Sequence, residues 1–144
     1  MRRSLTIALF VLATALNGRS AKDNLQDLIA RADAARPEDR PGLYIDIAER
    51  QLKTVDDLYR AGKDDEAVAA VKDVVTYSEK AHDAAIVSPH KLKGTEISLR
   101  KMAAKLRDIK RALSFEEQGP VQAASDRLEA LRTDLLAKMF GKGK

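Results

Sequence analysis

Apolar residues recur along the chain at alternating intervals of three and four, and no stretch sustains the two-residue alternation of a strand. The clearest run is Leu92, Thr95, Leu99, Met102, Leu106, Ile109 and Leu113, an a/d seam over three heptads. It predicts a helix from about Pro89 to Glu116, opened by Ser88 as N-cap and Pro89 at the first helical position. Gly94 is a weak point near its start.

Four further helices follow from the same reading. A short one, about Asp23 to Ala35, turns Leu25, Leu28, Ile29 and Ala32 to one side, and the prolines of Arg36–Pro41 break it. The next spans about Gly42 to Arg60, with Tyr44, Ala48, Leu52, Val55 and Tyr59 on its apolar face and Gly62 as C-terminal cap. A third runs from about Asp65 to Ile86, capped by Asp64, with Ala67, Val71, Val74, Ser78, Ala81 and Ala85 inward. The last restarts at Gly119-Pro120 and runs to about Phe140, with Val121, Ala124, Leu128, Leu131, Leu135 and Met139 inward. Short connections make successive long helices antiparallel. The expected fold is therefore all-α: an antiparallel four-helix bundle, or a helical-hairpin stack, with a short extra N-terminal helix.

One segment escapes this pattern. MRRSLTIALFVLATALNGRSA has basic Arg2 and Arg3, an apolar run from Leu5 to Leu16 and small residues beyond it. It reads as a cleavable signal peptide over residues 1–21, with cleavage after Ala15, Gly18 or Ala21. The run falls short of the roughly 20 residues of a membrane span. The expected organisation is signal peptide, one helical domain over 22–140 and a flexible tail over 141–144. The expected location is exported, periplasmic or extracellular.

Export changes the charge picture. The chain has 26 basic and 22 acidic residues. Loss of Arg2, Arg3 and Arg19 leaves 23 against 22, so a nucleic-acid reading of the overall basicity has no footing. The remaining charge is uneven. Residues 22–85 hold 10 basic and 15 acidic side chains, and residues 86–144 hold 13 and 7. Lys93, Arg100, Arg107 and Arg111 fall opposite the heptad seam, flanked by Lys91, Lys101, Lys105 and Lys110. This strip is the candidate partner-binding site, for an acidic protein, lipid headgroup, cell-wall polymer or nucleic acid; its plain alternative is a solvated helix face. No aromatic residue interleaves with the cations, against base stacking on single strands.

The stretch Leu58 to Ala67 resembles the inter-helix turn of a tetratricopeptide repeat: Gly62 ends one helix, and Ala67, five residues later, packs into it. The family's later alanine falls on Val74 and its closing proline on Glu79, so the likeness ends there. It implies a scaffold that binds peptides.

Chemistry-bearing patterns are sparse. The absence of cysteine excludes disulfides, a lipoprotein anchor, covalent haem and thiolate metal sites. No Gly-x-Ser-x-Gly elbow, phosphate-binding glycine loop or His-Glu-x-x-His is present. Glu79 and His82 form one Glu-x-x-His unit, which di-iron bundles need twice. His82 and His90 fit surface positions near a helix end, and Met102 fits a core seam. Glu96 with Arg100 and Glu129 with Arg132 read as surface ion pairs.

The expected function is therefore non-enzymatic: protein or envelope-polymer contacts made by an exported helical domain, with no catalytic residues, metal or cofactor. Self-association is a variant, since an a/d seam also serves a partner helix. The alternatives are a small-ligand or metal carrier using the interior near Glu79 and His82, and a tetratricopeptide-like peptide-binding scaffold.

Overall fold

A computed structural model describes the backbone of residues 16–141 and the side chains of residues 24–141. Five helices follow in order: α1 (Leu16–Ala34), α2 (Arg40–Arg60), α3 (Asp64–Ile86), α4 (Leu92–Arg111) and α5 (Gln118–Phe140). Single 3₁₀ turns at Pro89–Lys91 and Phe115–Glu117 lead into α4 and α5, and no strand occurs among the described residues. Residues 1–15 of the expected signal peptide and 142–144 of the expected tail lie outside the described part. α1 begins at Leu16 rather than near Asp23, so the first helix is 19 residues long and not short.

The apolar stripes are buried where their periodicity places them. Ala48, Leu52 and Val55 of α2, Val71, Val74 and Ala81 of α3, Leu99, Met102 and Leu106 of α4, and Val121, Leu128 and Leu135 of α5 share one core. Small side chains on α3 let its neighbours approach closely, as the buried Ala67, Ala70, Ala81 and Ala85 show.

Two joints explain the chain path. α2 ends in a Schellman motif: Lys63 N–H donates to Leu58 O at 2.9 Å and Gly62 N–H to Tyr59 O at 3.1 Å. Gly62 takes φ +73°, which favours glycine. Lys63, not Asp64, then occupies the N-cap position of α3.

The second joint differs from expectation. α4 stops at Arg111, and the chain restarts at Ser114, before Gly119-Pro120. Glu117 N–H meets the Ser114 side chain, and Ser114 N–H donates to Glu117 Oε2 at 3.1 Å. This capping box satisfies the orphan donors of a new N-terminus. Pro120 lies within the first turn of α5, where a missing N–H costs nothing.

Cross-helix bonds give the topology. Gln51 Nε2 donates to Asp73 Oδ2 at 3.0 Å, which sets α2 antiparallel to α3. Ser125 Oγ to Ala103 O (3.3 Å) and Lys110 Nζ to Gln122 Oε1 (2.6 Å) set α4 antiparallel to α5. Arg127 to Glu79 and His82 to Asp134 run in the same direction along both chains, so α3 and α5 are parallel. Lys105 to Asp56, at 3.4 Å, ties α4 to α2. Two antiparallel hairpins, α2/α3 and α4/α5, are thus stacked side by side, with α3 against α5 and α2 against α4. α1 packs on α2, held by Tyr44 Oη donating to Asp33 Oδ1 at 2.6 Å.

Candidate functional site

Among the described residues, α4 is the helix whose charge is most one-signed. α4 carries seven basic residues and two acidic ones, whereas α3 carries two basic and six acidic. The helix period places Lys93, Arg100, Arg107 and Arg111 away from the seam, and all four are exposed. Ile97 and Ala104, half-buried, lie between them on the same side.

The four cations are not equivalent. Arg107 Nη1 reaches Glu129 Oε1 on α5 at 3.3 Å, and Arg111 Nη1 reaches Asp108 Oδ1 at 2.9 Å. Lys93 and Arg100 form no ion pair within 4.0 Å among the described residues. Their separation of seven residues is about 10 Å along the helix. The strip therefore divides: its first half offers free charge and its second half is partly neutralised.

Glu96 decides the state of Arg100. Instead of pairing with Arg100 on the surface, Glu96 turns inward, is 6% exposed and accepts from Arg132 Nε at 2.7 Å. Arg132 also donates to Glu129 Oε2 at 3.2 Å, the expected local pair. The hydrogen bond to Glu96 raises the Arg132 pKa, with Glu129 adding to it, so the guanidinium stays charged. A buried carboxylate is tolerated here because it has a charged donor. The same rotation leaves Arg100 with open solvent.

The seam opposite the strip is occupied. Leu92, Thr95, Leu99, Met102, Leu106 and Ile109 are all buried within the chain. Within this chain the seam is filled by the neighbouring helices.

His82 is not a surface residue. It is 8% exposed, with Nδ1 at 2.9 Å from Asp83 Oδ1 and Nε2 at 2.6 Å from Asp134 Oδ2. Glu79 points elsewhere, its Oε1 accepting from Arg127 Nε at 2.8 Å. The Glu-x-x-His unit is thus split between two inter-helix bonds, and no group of three metal-ligating side chains occurs among the described residues. His90 is exposed in the 3₁₀ turn before α4, and Met102 is core.

Titratable groups elsewhere serve joints. Burial first, and then the hydrogen bond to Asp33 and its charge, push the Tyr44 hydroxyl up to about 12. Lys80 Nζ lies 5.6 Å from the Tyr44 ring centre and 5.5 Å from that of Tyr77. Asp64 and Glu117 meet where the two hairpin turns lie together. Their shared hydrogen bond raises Asp64, while the bonds from Ser114 lower Glu117. Tyr59 beside them is raised by burial and then by those two carboxylates. Glu49 is raised by burial and by Asp46, against the pull of Lys101.

A shallow groove of about 510 Å³ runs between α3 and α5, lined by Val68, Val75, Thr76, Pro120, Ala123 and Arg127 among others. The sequence does not bring these residues together, because the groove exists only once parallel α3 and α5 are stacked. It likewise left Val87 and Phe140 without a role, although both lie just beyond their apolar stripes. They are 71% and 79% exposed. No helix among the described residues is long and apolar enough to cross a membrane.

No family model, no curated protein and no solved structure matches this chain.

Proposed function

We propose that this chain is an exported, non-enzymatic contact protein, and that the outer side of α4 receives an acidic protein or an anionic envelope polymer. One observation carries the reading: among the described residues Lys93 and Arg100 stand exposed without ion pairs, because Glu96 is committed inward to Arg132. The half-buried Ile97, between them, and Ala104, one turn past Arg100, add apolar contact to charge. Interfaces that pair charge with a small apolar centre gain both steering and burial. The non-enzymatic part rests on how polar groups are used: His82, Glu79, Asp134 and Glu96 are all engaged in bonds that hold helices together.

The test is charge reversal at Lys93 and Arg100, followed by crosslinking in the native envelope and mass spectrometry of what is captured. The double variant loses a partner that the wild-type chain captures. Equal capture by both, or capture of nothing by the wild type, removes the reading. Reversal at Arg107 and Arg111 has the smaller effect, since those side chains already have carboxylate partners.

A second reading, a tetratricopeptide-like peptide-binding scaffold, draws on the Schellman turn at Gly62, the fully buried Ala67 and the parallel stacking of two hairpins. Its site would be the groove between α3 and α5. Val75→Arg would then abolish partner capture while the α4 reversals leave it intact.

A further inference from the structure

The two hairpin turns lie together at one end of the molecule, where Asp64 and Glu117 share a hydrogen bond. Phe115 stands out from this tip, 86% exposed although large and apolar. Beside it, Asp65, Glu66 and Glu116 are exposed and form no ion pair within 4.0 Å among the described residues. Lys63 is exposed at the same tip and has no such pair either. The cations at the adjoining helix ends are engaged: Arg60 with Asp56, Arg111 with Asp108, and Lys110 with Gln122. The tip is therefore an aromatic side chain among an excess of carboxylates.

The outer side of α4 offers the reverse arrangement. Half-buried Ile97 lies between Lys93 and Arg100, both exposed and without ion pairs among the described residues. The neighbouring carboxylates are turned elsewhere: Glu96 to Arg132, and Glu129 to Arg132 and Arg107. Asp46 and Glu49 are exposed on α2, but the hollow they line meets α4 at Gly94, Thr95 and Ser98 and leaves out Lys93, Ile97 and Arg100. A chain cannot satisfy its own strip. Arg100 lies about 16 Å along the helix from Arg111, and Phe115 follows beyond Arg111.

We infer that the Phe115 tip of one copy of the chain docks on the Lys93–Arg100 strip of another. The acidic protein of the α4 reading is then a second copy, and the inference rests on that reading. Phe115 covers Ile97 with the flanking cations against its ring, while Asp65, Glu66 and Glu116 meet the ammonium and guanidinium groups. An anionic polymer supplies charge alone. The tip supplies charge together with an aromatic anchor, the kind of side chain enriched at interface centres. Strip and tip are different patches, so the contact is head-to-tail. Each docked pair keeps one free tip and one free strip, and growth continues unless a ring closes.

Sedimentation of the purified full chain over a range of concentrations tests this. The wild-type chain grows beyond dimers as concentration rises, and salt reverses the growth. Phe115→Ser alone weakens association about tenfold. Lys93→Glu with Arg100→Glu leaves a monomer, and so does Phe115→Ser with Asp65→Asn and Glu116→Gln. All five positions are exposed, so the fold tolerates these changes. Mixed in equal amounts, the two monomers form a dimer and nothing larger, because one brings an intact tip and the other an intact strip. Phe140→Ser, at the far end, leaves association unchanged. Absence of association, growth that survives either set of changes, a wild-type chain that stops at a dimer, or a mixture that stays monomeric overturns the inference. A monomeric wild type whose capture in the envelope still depends on Lys93 and Arg100 removes this inference and leaves the α4 reading. Capture and association both indifferent to those two residues remove both.

Discussion

At the residue scale, three residues hold joints on which larger structure depends. His82 meets one carboxylate on its own helix and another on α5. A buried polar group that loses such partners costs about 1–3 kcal/mol. Asp134→Ala, which leaves the buried His82 Nε2 without its partner, is therefore expected to lower stability by about that amount in urea melts and to be nearly silent in the His82→Ala background. Tyr44 gives a pH signature. Its folded-state value, about 12, lies above the ordinary 10, so the fold binds that proton more tightly than the unfolded chain does. The contribution is complete below pH 10 and is lost as pH rises towards 12. Tyr44→Phe should flatten the alkaline limb of a plot of Tm against pH. Gly62 is the third. At φ +73°, a β-carbon meets no neighbour within 4 Å, so Gly62→Ala pays only the left-handed backbone cost, about 1–2 kcal/mol.

At the element scale, α4 has two sides with separable duties. Leu99 is fully buried among the core residues, and Leu99→Ala should cost about 2–5 kcal/mol in thermal or urea unfolding. Arg100→Glu, one residue on, should change stability by less than about 0.5 kcal/mol and act on partner capture instead. Ser114→Ala removes half of the capping box before α5 and should cost about 1 kcal/mol. These elements also mark how far the sequence could be read. The inward stripes were legible because a period near 3.6 is local and survives any packing arrangement. The end of α4 was not: the heptad continues to Leu113, and the Ser114–Glu117 box ends the helix before that pattern runs out. Glu96 was legible as an acid near Arg100 but not as a buried one. Its true partner, Arg132, lies 36 residues away and depends on hairpin register.

At the scale of the whole molecule, two hairpins are stacked with their like ends together, and charge follows that architecture. One end carries the exposed Val87 and Phe140, the other the exposed Phe115, and α4 presents Lys93 and Arg100 along one side without ion pairs among the described residues. The all-α stack was readable from stripes and turn signals. The ends were not, because they arise only when α3 and α5 are set parallel by Glu79–Arg127 and His82–Asp134. The proposed contact runs along the outer α4 side, through its first half. Site-specific photocrosslinking in the native envelope tests it most directly, with the crosslinker placed in turn at Ile97, at Ala104 and at Thr76 on α3. One adduct is expected from Ile97 and Ala104, lost when Lys93 and Arg100 are changed to glutamate, and none from Thr76. Adducts from Thr76 alone, or α4 adducts that survive the double reversal, would contradict it.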